Sequence, residues 1–184
     1  MKICDITFVG AEKNHLRLTL SRNSHKITAM KFFTTAQDFS YEFNDEVDLA
    51  VKLSKSEFRG QESLTLIIDG IKFSGLDNKL LIDEQRVYES IKRNEQVNSK
   101  LLQEHTPSRA DFSVLYKFLK ANNPINIDIS VLYYRLKDFK ISFCKLLIML
   151  DAMAECGLIT VETIADVYLI NVKPVNGKVD LESS

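Results

Sequence analysis

A hairpin near the N-terminus carries the residues whose types and spacing are best suited to contact a ligand. The stretch HLRLTLSRNSHKITAMKFF, residues 15–33, consists of two runs with alternating apolar residues, joined by a polar turn. This pattern predicts two paired strands. Successive side chains of a strand point to opposite faces, so Leu16 and Leu18 lie opposite His15 and Arg17. The first strand is therefore predicted to have one apolar face and one polar, basic face.

The second strand is expected to complete the polar face. If Met30 and Phe32 point inward as core residues, then Lys31 and Phe33 point outward beside the first strand. Cations neutralise phosphates, and an aromatic ring stacks on a base at roughly 1–3 kcal/mol each, so such a face is typical of single-stranded nucleic-acid binding. The alternative is that Arg17 and Lys31 are ordinary solvated residues and that Phe33 is a core residue at a bend. The residues alone do not decide between the two.

Catalytic motifs are absent from the sequence. It contains no GxSxG elbow, no GxxxxGK[ST] phosphate loop, no GxGxxG and no DHH triplet. Cys4, Cys144 and Cys156 are far apart and form no CxxC pair, and the three histidines are scattered, which argues against a zinc site. The thiols are predicted to be free and buried, in a reducing compartment. A Cys–His pair and carboxylate acid/base catalysis stay open, but we predict that this chain is not an enzyme.

Composition sets further bounds on function. The chain has 184 residues, with 24 Lys and Arg against 25 Asp and Glu, so it has no overall basic character. A local basic patch can still bind nucleic acid when the far side is acidic. No apolar run approaches the roughly 20 residues that span a membrane, and the N-terminus lacks a signal-peptide pattern. The sequence predicts a cytosolic protein with no membrane partner.

Alternating residues predict five strands in the first part of the chain. These strands are expected at residues 3–9, 15–20, 27–33, 47–53 and 64–73. Five short strands in about 75 residues favour a small barrel or sandwich, and the OB-fold is the most familiar five-stranded barrel. We therefore predict an OB-fold-like β domain over residues 1–76. Residues 77–106 are rich in charge, and a mostly solvated helix over residues 83–103 would make this segment a helical linker.

Helix caps predict three helices in the last part of the chain. Ser108 and Asp111 have the spacing of a capping box, which would begin a helix that runs to about residue 120. Asp128 is expected to cap a second helix to about residue 137. Ser142 is expected to cap a third helix to residue 155 or 156, with Gly157 as the residue that follows its C-cap.

Two predicted strands, LITVET and DVYLINV, follow the three helices. Three helices and then a β-hairpin is the element order of a winged helix-turn-helix domain, which we assign to residues 107–184. The whole chain is thus predicted to be an α+β protein: a five-stranded OB-fold-like barrel, a connecting helix and a winged-helix-like domain.

Several segments, taken in order, resemble the RecJ exonuclease family. The run from Gly10 to Leu18, with Lys13, His15 and Arg17, has the spacing G-x-x-K-x-HLRL. The segments ITAMKFF and EFRGQESLTLIIDGI also resemble the OB domain of RecJ. The segment PSRADFSVLYKFLK resembles the start of an extra C-terminal domain in RecJ proteins of Firmicutes and related bacteria. Ser56 and Thr65 stand where the family usually has Asn and Gln, so no contacts are carried over to these two positions.

The resemblance implies a function and a set of partners. RecJ is a single-strand-specific 5′→3′ DNA exonuclease of DNA repair and recombination, in which a DHH phosphoesterase core precedes the OB domain. No counterpart of that core occurs in this sequence, so we expect the non-catalytic C-terminal part of a longer bacterial, cytoplasmic protein. No cofactor is expected on this chain, because the family's Mg or Mn belongs to the missing core. The expected partners are single-stranded DNA, the RecJ catalytic core and, through the winged helix, another repair protein. The alternative is a protein-docking module without DNA affinity.

The expected DNA contacts fall in both domains. In the OB domain, the residues expected to face phosphates are Lys13, His15, Arg17, Lys31 and Arg59. Phe33 is expected to supply a ring that stacks on a base. Phe58 fills the family's aromatic position, as a stacking group or as a turn anchor. In the winged helix, Lys140 and Lys145 lie at the start of the third helix, where the helix N-terminus also favours phosphate. A protein contact of this domain is an equal alternative.

Overall fold

The computed structural model describes residues 1–58, 61–164 and 167–174, and the side chains of these residues except at positions 56–63. The chain divides into two compact units, Met1–Leu76 and Asp77–Ser184. The first unit is built from strands and the second from helices and a small sheet. Each unit has its own buried core.

The first unit is a five-stranded barrel of OB-like topology. Its strands are β1 (Lys2–Val9), β2 (His15–Arg22), β3 (His25–Lys31), β4 (Val47–Phe58) and β5 (Gln61–Phe73). The order in the sheet is β1-β2-β3-β5-β4, in which β3 and β5 are parallel and the other neighbours are antiparallel. A bridge between Lys2 and Glu46 joins β1 to the start of β4 and closes the barrel. The five predicted strands are all present, although β4 and β5 are longer than expected.

Apolar residues at alternate positions fill the barrel. Leu16, Leu18 and Leu20 of β2 have no exposed surface, and Ile3 and Ala29 complete the same core. Full burial of a leucine side chain contributes roughly 1.5–3 kcal/mol. Because a register shift of one residue would move all three leucines to the solvent, this core holds β2 in its register.

The hairpin of β4 and β5 extends beyond the rest of the sheet. Its pairing continues as far as Phe58 and Gln61. By contrast, β3 pairs with β5 only at Leu66 and Ile67. The outer part of the hairpin therefore forms an arm that, over the described residues, has no neighbouring strand on the β3 side.

The described residues of the second unit form five α-helices and a three-stranded antiparallel sheet. The elements in chain order are α1 (Asn78–Lys92), α2 (Ser99–His105), α3 (Arg109–Ala121), β6 (Ile125–Asp128), α4 (Ile129–Arg135), α5 (Phe143–Glu155), β7 (Ile159–Ile164) and β8 (Val167–Val172). A short 3₁₀ turn, Lys137–Phe139, lies between α4 and α5. The sheet order is β6-β8-β7. Helix α5 is the centre of the core, with seven buried residues of 13.

The caps predicted from the sequence are present. Ser108 and Asp111 form a complete capping box at α3. The side chains of Asp128 and Ser142 accept backbone N–H groups at the starts of α4 and α5. Gly157 follows the C-cap of α5 with φ of 70°, a left-handed conformation that glycine adopts without a side-chain clash.

One expectation for this unit is wrong, and one strand was not predicted. The single helix predicted over residues 83–103 is two helices, because α1 ends at Lys92 with Arg93 as its C-cap, and Asn94 adopts a left-handed φ of 53°. The run of charged residues indicates only that this region is solvated. Because charged residues continue through the break between α1 and α2, the run does not reveal the break. Strand β6 is also missing from the elements that the sequence pattern predicts. Four residues are too short for an alternating pattern, and β6 forms because β8 supplies its backbone partners.

Candidate nucleic-acid interface

Strands β2 and β3 pair in a register that places Met30, and not Lys31, beside Arg17. Arg17 is opposite Met30, and Leu16 is opposite Lys31. Residues directly opposite each other in a sheet share a face. Met30 therefore lies on the outer face with Arg17, whereas Lys31 is half-buried on the side of Leu16.

The predicted orientation of β3 is thus wrong by one residue. Side-chain bulk favours Met30 and Phe32 as core residues, but the core accepts Ala29, which is fully buried opposite Leu18. The polar turn of the hairpin contains the signal that could have corrected this. Asn23 and Ser24 both have positive φ, at 49° and 66°, and form a two-residue turn of the kind that fixes hairpin register.

Two phenylalanines follow the end of β3. Phe32 is 44% exposed and Phe33 is 86% exposed. Phe33 has φ of 53°, so the regular alternation of β3 does not apply to it. The outward position predicted for Phe33 agrees with its exposure. Phe32, predicted to lie in the core, lies at the surface instead.

His15 joins these two rings to the start of β2. Its imidazole meets both rings nearly at right angles, with centroid distances of 5.3 Å to Phe32 and 5.5 Å to Phe33. The backbone N–H of Phe33 also donates a hydrogen bond to Nδ1 of His15, at 3.2 Å. We call His15, Phe32 and Phe33 the aromatic cluster. It presents ring surface to solvent at one end of the outer face.

The loop from β1 to β2 lies at the same end of this face. The N–H of Lys13 donates to the carbonyl of Gly10 at 3.1 Å, and Lys13 has φ of 51°. The N–H of Thr34 donates to the carbonyl of Asn14 at 2.9 Å, which ties the residue after the aromatic cluster to this loop. Lys13 is exposed, as expected for a phosphate contact.

Arg17 and Lys26 are exposed cations along this face. Lys26 pairs with Ser21, and residues 17, 19 and 21 of β2 share one side of the strand. Within the described parts of the chain, neither Arg17 nor Lys26 has an ion-pair partner. Four residues of strand separate their positions by about 13 Å. That length suits roughly four nucleotides at ~3.4 Å spacing, and fewer for an extended strand.

The predicted contacts on the β4–β5 arm lie outside the described residues. Arg59 is not described, and for Phe58 only the backbone is. On the side that continues the barrel interior, the described part of the arm has exposed apolar residues, with Lys55 opposite Leu64. Val51, Leu53 and Leu64 are 43%, 65% and 67% exposed there.

In the second unit, Lys145 is held by an ion pair. Its Nζ lies 3.6 Å from Oδ2 of Asp111, and the two side chains are only 19% and 16% exposed. Burial raises the pKa of Asp111, but the hydrogen bonds from the backbone and side chain of Ser108 and the charge of Lys145 outweigh it, so the pKa is lower than usual. The expected free, DNA-facing position of Lys145 is therefore not what the structure shows.

Helix α5, predicted as the DNA-facing helix, has no open face over its described residues. Every residue from Phe143 to Ala154 is buried or half-buried. The carboxylate of Glu84 in α1 accepts the N–H of Cys144 at 2.9 Å. Burial, and next the charge of Glu84, raise the pKa of the Cys144 thiol to about 12. The N-terminus of α5, the predicted phosphate position, is already satisfied by a protein carboxylate.

A second contact fixes α1 on α5. Oδ2 of Asp151 accepts hydrogen bonds from the hydroxyl of Tyr88 at 2.5 Å and from Nζ of Lys92 at 2.8 Å. Burial, and next the hydrogen bond to Asp151, raise the pKa of Tyr88. The segment expected to be a solvated linker therefore packs on α5 through its first helix.

Lys140 lies in the turn between α4 and α5 and is exposed. It ends the 3₁₀ turn with φ of 57°. Nearby in sequence, Nζ of Lys137 lies 3.9 Å from the ring centroid of Tyr134, a cation–π contact, and Phe139 is 56% exposed. Between α4 and α5, the cations exposed to solvent thus lie on the turn and not on α5.

The described residues include no group of three His, Cys, Asp or Glu side chains that could hold a metal ion. In the described ranges, none of the helices has the length and apolar character needed to cross a membrane.

Comparison with known families identifies the first unit. Residues 1–70 match the family model of the RecJ OB domain. These residues are therefore an OB region of the RecJ type, in agreement with the barrel topology. No curated protein matches the chain. The second unit lies outside the matched residues.

Proposed function

We propose that this chain is the non-catalytic, single-stranded-DNA-binding C-terminal region of a RecJ-like 5′→3′ exonuclease. The observation that carries the proposal is the outer face of β2 and β3, in a unit that matches the RecJ OB domain. OB-folds bind oligonucleotides on this face, beside the loops that flank it. The cutting residues and their Mg or Mn would belong to a catalytic core elsewhere in the parent protein, in the bacterial cytoplasm.

The face offers the two kinds of contact that single-stranded DNA requires. The aromatic cluster supplies ring surface for a base, and Met30 adds an apolar contact beside it. The guanidinium of Arg17 and the ammonium groups of Lys13 and Lys26 supply charge for phosphates. These contacts do not read base edges, so the proposal implies little sequence preference.

The test is binding of fluorescein-labelled oligo-dT to the full chain across a salt series. For single strands, the logarithm of the binding constant falls with log salt by about 0.7 per neutralised phosphate. Replacement of Arg17 by Glu should weaken binding about tenfold and reduce this slope by about 0.7 or more. Lys120→Glu is the matched control, because Lys120 is an exposed cation at the end of α3. Absence of binding by the unaltered chain at low salt would refute the proposal.

For the second unit, we propose a winged-helix-like module that binds DNA or a repair protein. The support is its element order: α3, β6, α4, α5, β7 and β8, with all three strands in one antiparallel sheet. Because α5 is covered, the proposed contact is the turn with Lys137, Phe139 and Lys140. In the proposed binding mode, this turn contacts the partner, and no helix of the unit enters a DNA groove.

A second candidate function is a protein-docking module without DNA affinity. The observation that favours it is a group of exposed apolar residues, Val51, Leu53 and Leu64, on one side of the β4–β5 arm. Adjoining exposed apolar residues are typical of protein contacts. The replacement Leu53→Ser together with Leu64→Ser should then abolish binding to the catalytic core. The same double variant should leave oligo-dT binding unchanged if the primary proposal is right.

A further inference from the structure

We infer that His15 is a positioning residue, which holds Phe33 in the orientation needed to stack on a base. This inference rests on the proposed function. It concerns how the ring is presented, which neither the family match nor the resemblance addresses. Its basis is the combination of an unfavourable backbone conformation, an exposed ring and two contacts to a single side chain.

The backbone of Phe33 is in a conformation that bulky residues avoid. A φ of 53° places it in the left-handed region. Residues other than Gly, Asn and Asp seldom adopt this region, because Cβ approaches the following carbonyl. Such a conformation persists only where surrounding contacts determine it, and it concentrates at functional sites. Burial cannot supply those contacts here, because the side chain is 86% exposed.

His15 supplies the contacts that burial does not. Its Nδ1 accepts the N–H of Phe33 at 3.2 Å, which fixes the backbone. Its ring lies 5.5 Å from the Phe33 ring at 84°, which fixes the side chain. The same imidazole lies 5.3 Å from Phe32 at 79°. One side chain thus braces two rings, and the outer face of Phe33 stays open to solvent.

An exposed ring that is already fixed can stack without a large loss of rotamer freedom. Side-chain ordering on binding costs about 0.5–1.5 kcal/mol per residue, so a fixed ring binds more tightly than a mobile one. The sequence predicts that His15 faces phosphate. In the structure its Nδ1 is engaged with Phe33, and its role is to prepare the ring for the base.

The chain has no tryptophan, so the variant Phe33→Trp introduces a single fluorescent reporter at this position. Time-resolved anisotropy of this indole, without DNA, measures how tightly the side chain at position 33 is held. Three further replacements separate the two contacts of His15. His15→Phe keeps a ring but removes the acceptor, His15→Asn keeps an acceptor near Nδ1 but removes the ring, and His15→Leu removes both.

The expected result has three parts: the motion of the indole, the affinity for oligo-dT and the quenching of the indole by oligo-dT. His15→Leu and His15→Phe should increase the local motion of the indole at position 33, and His15→Asn should restore part of its rigidity. In the chain with Phe33, His15→Leu and His15→Phe should weaken oligo-dT binding about three- to tenfold, the range expected when an ordered ring becomes mobile. Oligo-dT should quench the indole of Phe33→Trp by stacking. The control Phe43→Trp, at a ring that is 63% exposed and outside the aromatic cluster, should not be quenched.

Failure of the inference can be told apart from failure of the proposed function. If the indole at position 33 is equally rigid with His15 and with each of its three replacements, His15 does not position this side chain, and the inference is overturned whatever the DNA result. If the unaltered chain binds oligo-dT and His15→Phe binds within twofold of it, the inference alone is overturned. If the unaltered chain does not bind oligo-dT at low salt, the proposed function fails, and the inference fails with it.

Discussion

Replacement of Gly10 by alanine tests whether the loop before β2 controls the aromatic cluster. Gly10 has φ of 92°, which an L-residue with a side chain adopts only with strain. A Cβ at this position would lie 3.2 Å from Oδ1 of Asn14 and 3.2 Å from Cδ2 of His15. Both distances are tighter than ordinary van der Waals contact. The new methyl group can therefore be accommodated only if the side chain of Asn14 and the imidazole of His15 each move by a few tenths of an ångström.

The expected loss of folding stability in Gly10→Ala follows from two separate costs. A left-handed conformation costs a residue with Cβ about 1–2 kcal/mol. Crowding of the neighbouring side chains adds up to about 1 kcal/mol more, since both can shift in part. Gly75→Ala is the matched control in the same unit. Its φ is 80°, and a Cβ there would meet nothing within 4 Å. The control thus has the backbone cost without the contact to His15.

Two measurements on the full chain separate these costs. Urea unfolding followed by far-ultraviolet circular dichroism should show a loss of about 1–3 kcal/mol for Gly10→Ala and about 1–2 kcal/mol for Gly75→Ala. Oligo-dT binding should weaken about three- to tenfold in Gly10→Ala, because the shift of His15 releases Phe33. Gly75→Ala should bind as the unaltered chain does. Equal oligo-dT affinity of both variants would refute the reasoning that links the loop to the cluster.

Three further predictions concern the second unit. Cys144, with its raised pKa of about 12, should resist iodoacetamide at pH 8 in the native chain and react after unfolding, as read by peptide mass spectrometry; native modification would contradict the contact with Glu84. Because the pKa of Asp111 is lowered, its stabilising contribution is present above the ordinary carboxylate range and is lost as the pH falls below it. Asp111→Asn should therefore cost about 1 kcal/mol at neutral pH and less in acid, in urea unfolding at each pH. Lys137→Glu with Lys140→Glu should weaken any DNA contact of this unit several-fold in the salt series, and unchanged affinity would favour a protein partner.

The barrel was predictable because the pattern of apolar residues that defines its strands is local and periodic. The leucines of β2 repeat at every second position, and no shift by one residue keeps them buried. The turn of the same hairpin shows the limit of this reasoning. Side-chain bulk favours Met30 and Phe32 as core residues, whereas the pairing across Asn23 and Ser24 places Ala29 inside. Strand register depends on turn geometry and on the partner strand. A prediction of the inward-facing residues from side-chain size alone takes neither into account.

The second unit was predictable at its helix ends and not in its packing. Caps such as Ser108 with Asp111 are local, because the bonded groups lie within one turn of each other. The contacts of Glu84 with Cys144 and of Tyr88 with Asp151 join residues 60 and 63 positions apart. No local pattern distinguishes a carboxylate that caps a distant helix from one that faces solvent. For this reason the charge pattern alone predicts a linker where α1 packs on α5.

Ion pairing decides which cations of this chain are available to bind a phosphate. The sequence alone does not show which cations are paired. Lys145 and Lys92 carry the same positive charge as Arg17, but Asp111 and Asp151 form ion pairs with them at 3.6 Å and 2.8 Å. A phosphate that recruited Lys145 would have to displace a mostly buried carboxylate and leave it without its cation, which is unfavourable. At Arg17, among the residues that the structure describes, no such competitor exists. A net charge of −1 is thus compatible with the proposed binding of a polyanion, because the cations of the chain differ in the partners they already have.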